Sequence, residues 1–118
     1  MFRTMLRSKI HNAGVKETNL EYEGSITIDS EILEAADILP NEKVQIVNLN
    51  TGRRIETYVI AGPEGSGIIA MNGGAARCAV KGDRLLIMSY VQMETKDALS
   101  YTSKIISLND NNKIRNKK

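Results

Sequence analysis

One cysteine and one histidine are all that this 118-residue chain offers toward a metal site built of Cys and His ligands. Cys78 alone cannot build an internal disulfide, so a reducing, cytoplasmic setting is expected. A site of several Cys and His ligands cannot be assembled in one chain, and no metal is expected. The sequence has no G-x-x-x-x-G-K-[ST] phosphate loop and no G-x-G-x-x-G after a strand, the two nucleotide signatures that would mark a phosphate cradle. A Ser-His-Asp triad would have to use His11, and no serine sits on a nucleophile elbow.

Aromatic residues number five, Phe2, Tyr22, Tyr58, Tyr90 and Tyr101, too few for base-stacking platforms. The strongest apolar run, Leu85-Leu86-Ile87-Met88, falls far short of the ~20 residues that span a bilayer. Met1 to Lys9 alternates in character and has no signal-peptide core. Membrane association is therefore not expected. The net charge of +2 is concentrated at one end. Four of the 16 basic residues lie in 113–118, leaving 12 against 14 acidic residues in the body. A nucleic-acid binder needs a basic face on the folded body, and none is expected here.

What is present suits one domain, since a chain this long buries roughly two-thirds of its unfolded surface. Short strands separated by Gly- and Asn-rich turns dominate. Phe2 to Ile10 reads as a strand, His11-Asn12-Ala13-Gly14 as a break, and Val15 to Tyr22 as a second strand. Ser25 to Ile28 alternates, with Ile26 and Ile28 on one face. One helix follows, capped by Asp29 or Ser30, with Glu31 in its first turn. Ile32, Leu33, Ala36 and Leu39 fall on one side of it, and Pro40 is expected to end it.

Val44 to Leu49 and Arg54 to Ala61 flank Asn50-Thr51-Gly52 as a hairpin. Gly62 to Gly67 reads as a loop, Ile68 to Met71 as a strand, and Asn72-Gly73-Gly74 as a tight turn. Arg84 to Met93 reads as a buried strand, Glu94 to Leu99 as a short helix, and Tyr101 to Leu108 as a last strand. Residues 1–108 are thus expected to form a mainly β barrel with one or two short helices. Residues 109–118, polar and basic, are expected to be disordered.

Gly24-Ser25 stands between two strand-like segments without the Pro, Asn or Asp usual in a turn. A Gly-Ser pair alone is a weak signal, and Gly65-Ser66 is a second one in a loop. The surrounding residues carry more. Met5-Leu6, Lys9, His11, Tyr22-Glu23-Gly24-Ser25, Ile28-Asp29, Ala35-Ala36 and Ile38-Leu39 resemble the pyruvoyl-dependent aspartate 1-decarboxylase family. So do Asn50-Thr51-Gly52, Arg54, Thr57-Tyr58, Asn72-Gly73, Ala75-Ala76 and Gly82-Asp83. The resemblance covers roughly residues 1 to 108 at matching spacing. Gly74 departs from it, since the family usually has alanine there.

The resemblance implies a double-psi β-barrel, assembled as a homotetramer with active sites between neighbouring subunits. It implies a precursor that cuts itself between Gly24 and Ser25, giving residues 1–24 and 25–118 and leaving a pyruvoyl group where Ser25 stood. Whether a helper protein assists is left open. The pyruvoyl ketone would hold the substrate amine as a Schiff base, without pyridoxal phosphate or metal. L-aspartate would lose its α-carboxylate and leave as β-alanine, supplying pantothenate biosynthesis. By family position, Arg54 and Lys9 would bind carboxylate, and Tyr58 would return the proton. Thr57 and Asn72, with Tyr22, would support self-cleavage. Gly73, Gly74 and Ala75, with Thr57 and Asn72, would complete the substrate pocket.

Arg54 and Tyr58 are four apart, so a regular strand puts them on one face. Thr57 would then face away, unless a bulge intervenes or the hairpin is approached from both sides. Read singly, these residues have plainer roles: solvated charges for Lys9 and Arg54, barrel tyrosines for Tyr22 and Tyr58, a structural His11, a small apolar Cys78. Their joint spacing is what favours the site. Two other classes also suit a chain of this size. One is a small swapped-hairpin DNA-binding barrel, disfavoured by the acidic body. The other is a barrel dead to processing, disfavoured by intact Gly24-Ser25, Arg54 and Tyr58.

Overall fold

Alternating apolar residues build nine strands in the computed structural model, which describes residues 1–116. They are β1 (Phe2–Gly14), β2 (Glu17–Asn19), β3 (Ser25–Asp29), β4 (Lys43–Asn48), β5 (Arg54–Gly62), β6 (Ile69–Asn72), β7 (Arg84–Glu94), β8 (Lys104–Leu108) and β9 (Ile114–Asn116). Their order across the sheet is β2-β6-β3-β5-β4-β7-β1-β8-β9. β2 lies at one end of this order and β1 near the other, yet only Val15 and Lys16 separate them in the chain. The sheet must therefore curl round to meet itself. The Lys16 amide donates to the Ile69 carbonyl at 2.8 Å, and the Gly82 amide to the Val15 carbonyl at 2.9 Å. The expected mainly β barrel is what the chain forms.

Its inside is aliphatic. Ile10, Ile26, Ile28, Ile46, Ile69, Met71, Leu85, Ile87 and Leu108 are all fully buried in one cluster. Each such side chain contributes roughly 1.5–3 kcal/mol on removal from water. The register carries the alternation across the wall. Ile55 pairs with Ile46, Ile46 with Ile87, and Ile87 with Ile10. Their neighbours Arg54, Glu56 and Tyr58 on β5, Gln45 on β4, Met88 on β7 and Lys9 on β1 leave by the outer face.

The helix α1 (Ser30–Ala36) is capped by Asp29, whose carboxylate accepts from the Glu31 amide at 2.8 Å. The same buried carboxylate accepts from the amides of Gly65 at 2.9 Å and Gly67 at 2.7 Å, so one side chain also shapes the following loop. Ile32, Leu33 and Ala36 enter the core as expected. The helix stops earlier than Pro40, because Asp37 turns left-handed at φ 59°, and Leu39 is left exposed. A second helix, α2 (Thr95–Ala98), falls where the short one was expected.

Three other expectations are corrected. His11 to Gly14 does not break the first strand. The chain absorbs Asn12, at φ 67°, as a bulge, and the Asn12 side-chain amide donates to the Leu108 carbonyl at 2.8 Å. The second strand is only Glu17–Asn19, since the Tyr22 amide turns back to the Asn19 carbonyl. The segment expected to be disordered from 109 is ordered up to 116, where β9 pairs with β8. Buried Asn112, at φ 57°, holds it. Its amide nitrogen donates to the carbonyls of Gly14 and Gly67, and its oxygen accepts from the Gly14 amide, each at 2.8 Å. Polarity suggested a tail, but these side chains bond to backbone rather than to water. Residues 117 and 118 lie outside the described residues.

Candidate active site

Ser25 opens β3 and is fully buried, whereas Gly24 before it is exposed, so the bond between them lies at the edge of the interior. β3 runs antiparallel to β6, with Ser25 opposite Asn72. That register brings the buried Asn72 amide nitrogen within 2.9 Å of Ser25 Oγ, to which it donates. The same nitrogen donates to Thr27 Oγ1 at 2.9 Å. The amide oxygen of Asn72 accepts from the side-chain nitrogen of Asn19 at 3.2 Å, across the parallel β2–β6 pair. A hydroxyl that accepts a hydrogen bond keeps its own proton free to leave.

Asn72 leads straight into a 3₁₀ helix, Gly73–Cys78, instead of the expected tight turn. Gly73 adopts φ 58° and packs under the approach to Ser25. A Cβ on it would collide with the Tyr22 carbonyl oxygen and stand 2.5 Å from the Gly24 nitrogen. Only glycine fits there. Gly74 is open by contrast, with nothing within 4 Å of a Cβ position and no positive φ.

A cavity of about 320 Å³ opens beside the Gly24–Ser25 bond, lined by Gly24, Ile55, Glu56, Thr57, Gly74, Ala75 and Cys78. It has room for a small amino acid. Thr57 reaches it from the core side of β5, opposite buried Val44. The β4–β5 register runs unshifted from Lys43 to Val47, so no bulge turns Thr57 round. Tyr58 leaves by the other side, as does Arg54. Thr57 and Tyr58 thus stand on opposite faces of the strand. β3 and β5 run parallel with Ile26 opposite Val59, and one residue back the same register sets Ser25 level with Tyr58, on the face away from the core.

One chain gathers Ser25, Gly24, Asn72, Gly73, Gly74, Ala75 and Thr57, with Tyr58 beside Thr57 on the opposite face of β5. Tyr22 lies exposed on the approach to the bond, with its backbone against Gly73. Arg54 lies further back on the outer face of β5. Lys9 is three strands from β5, pairing with Met88 on β7. Neither cation has a carboxylate partner among the described residues. Among those residues no group of three or more His, Cys, Asp or Glu side chains could hold a metal ion. Nor is any helix long and apolar enough to cross a membrane.

The Arg7 guanidinium lies away from this site. Burial lowers the pKa of Arg7, but its hydrogen bond with Glu42 and the charges of Glu42 and Asp37 outweigh burial and raise it. Arg7 reaches Glu42 at 2.7 Å and Asp37 at 2.9 Å, tying β1 to the segment after α1.

Sequence reasoning missed Asn19 and Thr27, which both bond Asn72. Thr27 could have been found, since it shares a face with Ser25 at strand spacing. Asn19 carried a weaker signal, as an asparagine in a strand-like stretch where asparagine is disfavoured.

Residues 1–115 match the profile of a family described as aspartate decarboxylase. A protein of Listeria monocytogenes called aspartate 1-decarboxylase is 59% identical over 97% of this chain and 90% of its own length. Proteins of the same name are 58% identical in Pelotomaculum thermopropionicum, over 97% of this chain and 86% of theirs, and 54% identical in Bacillus subtilis, over 97% and 90%. A crystal structure of a computationally designed protein, msDPBB_sym2, superposes with a TM-score of 0.45 at 16% identity, over 75% of this chain and 100% of that one.

Proposed function

Because the chain belongs to the aspartate decarboxylase family and so is a carboxy-lyase, we propose that it decarboxylates L-aspartate to β-alanine, using a pyruvoyl group made from its own Ser25. The observation that carries this is the Asn72 amide donating to buried Ser25 Oγ immediately after Gly24. We assign the reaction to the cytoplasm, which suits the free Cys78, and its product to pantothenate synthesis.

The backbone cut needs only the chain's own atoms, and water enters when the ketone forms. Ser25 Oγ attacks the Gly24 carbonyl carbon, the C–N bond breaks, and the hydroxyl proton passes to the Ser25 nitrogen, giving an ester. Gly24 has no side chain to crowd this approach. Loss of the Ser25 Cα proton then expels Gly24 as a carboxylate and leaves dehydroalanine, and water releases ammonia from it. Asn72 donates to the oxygen on which charge gathers as the carboxylate leaves, and Thr57 faces the Gly24 end of the cavity as a donor to the carbonyl oxygen. The residues present fit the group, because Ser25 is held, Gly24 is unhindered, and a cavity adjoins them.

Once formed, the pyruvoyl group supplies an electron sink for the pair released with carbon dioxide. Tyr58, level with Ser25 across β3 and β5, holds the proton that returns to the α-carbon. Arg54 grips a carboxylate with its planar fork, and Lys9 adds a second cation. The backbone of Gly73, Gly74 and Ala75 completes the pocket wall. Lys9 lies four strands from β3 within its own chain, so we assign it to the site of a neighbouring copy, in a tetramer with sites shared between subunits.

The test is a carbon dioxide release assay on purified protein with L-aspartate and with L-asparagine, whose decarboxylation would give the amide of β-alanine. Two cations facing a substrate of two carboxylates should favour aspartate by on the order of 100-fold or more. Equal rates on both would overturn the substrate assignment.

A further inference from the structure

We propose that Asn19 is a positioning residue for self-cleavage, fixing which end of the Asn72 amide faces Ser25. The inference rests on the reading that Gly24-Ser25 is the bond that is cut. An asparagine amide has nearly the same shape either way round, so its orientation follows from its partners. The hydroxyls of Ser25 and Thr27 can each donate or accept, and neither selects an orientation. Asn19 does. Its side-chain nitrogen donates to the Asn72 oxygen at 3.2 Å, which leaves both Asn72 N–H groups for Ser25 Oγ and Thr27 Oγ1, each at 2.9 Å.

The orientation matters chemically. With N–H toward Ser25, the serine oxygen has a donor throughout, and its own proton is directed away from Asn72. The same donor meets the oxygen that leaves with Gly24. Turned over, Asn72 would accept the serine proton and offer the leaving oxygen nothing. The parallel β2–β6 register sets Asn19 directly beside Asn72. The three-residue strand β2 therefore has a chemical role besides closing the barrel.

Asn19→Asp tests this with almost no change of shape. A carboxylate can only accept, so it draws the Asn72 nitrogen toward itself and turns the oxygen toward Ser25. Asn19→Ala merely releases Asn72. Freshly synthesised chains, shown to be folded by circular dichroism, are followed by mass spectrometry for the uncut fraction. Loss of a donor of this kind typically slows a reaction by about 10²–10³-fold. Asn19→Asp should cleave at least ~10-fold more slowly than the unaltered chain and more slowly than Asn19→Ala. A role in packing alone gives the opposite order, since aspartate is the better mimic of asparagine. Should the aspartate variant fail to fold, Asn19→Gln must cleave faster than Asn19→Glu. Cleavage by Asn19→Asp at the unaltered rate, or faster than Asn19→Ala, or equal rates in the second pair, would overturn the role of Asn19 alone. An unaltered chain that never cuts would overturn the reading of Gly24-Ser25 as well.

Discussion

Gly73 lies so close beneath the segment before Ser25 that a Cβ on it would stand 2.5 Å from the Gly24 nitrogen and 2.7 Å from the Glu23 carbonyl carbon. Its φ of 58° disfavours any side chain as well. Gly74, one residue on, has neither constraint. Gly73→Ala should displace residues 22–24 and leave the chain uncut by mass spectrometry. Gly74→Ala should cut normally and gain about 0.4–1 kcal/mol of stability, because alanine restricts the unfolded chain. A melt and a mass spectrum of each variant suffice, and efficient cutting by Gly73→Ala would contradict the packing argument.

Thr57 and Tyr58 leave opposite faces of β5, so their substitutions should separate the two chemistries. Tyr58→Phe keeps the ring and loses the hydroxyl. It should still cut at Gly24-Ser25, then turn over aspartate at least ~100-fold more slowly, as expected for loss of a positioned general acid. Thr57→Val should fail first at cleavage. The checks are a mass spectrum followed by a β-alanine assay. A Tyr58→Phe chain that is uncut, or cut and fully active, would remove Tyr58 as the proton donor.

Lys9 and Ser25 stand four strands apart in one chain, so complementation should reveal shared sites. Ser25→Ala chains and Lys9→Met chains should each be inactive alone. Co-expressed, they should regain activity, since a Lys9→Met chain's Ser25 can meet Lys9 of a Ser25→Ala chain. Light scattering should give the mass of four chains. An active monomer, or mixtures no better than either parent, would contradict sharing.

Asn112 makes three hydrogen bonds to the backbone of Gly14 and Gly67 from a buried position. Asn112→Ala leaves those groups without partners and should cost about 2–4 kcal/mol, read as a lower Tm. Cleavage should persist at temperatures where the variant is folded. A melt unchanged from the parent would mean that residues 109–113 contribute nothing to the fold.

Much of the barrel could be read from local pattern. The β4–β5 hairpin, the Asp29 cap and the alternation of Ile26 and Ile28 all depend on residues a few positions apart. What could not be read depends on distant partners. Asn12 looks like a turn residue until Leu108 accepts its amide, and Asn112 looks like part of a solvated tail until Gly14 and Gly67 engage it. The same holds at the site. Strand parity alone put Arg54 and Tyr58 on one face and Thr57 on the other. The contact of Asn72 with Ser25 needs the β3–β6 register, and Asn19 needs the β2–β6 pair, neither of which is encoded locally.

The most direct measurement is the intact mass of the purified chain beside that of Ser25→Ala. The unaltered protein should give two fragments. One is residues 1–24 ending in a free carboxylate. The other is residues 26–118 preceded by a pyruvoyl group, which has a ketone in place of an amine and so resists stepwise amino-terminal degradation. Ser25→Ala should give one uncut chain and form no β-alanine. A single uncut mass for active unaltered protein, or a Ser25→Ala chain that still divides after Gly24, would contradict self-made pyruvoyl catalysis.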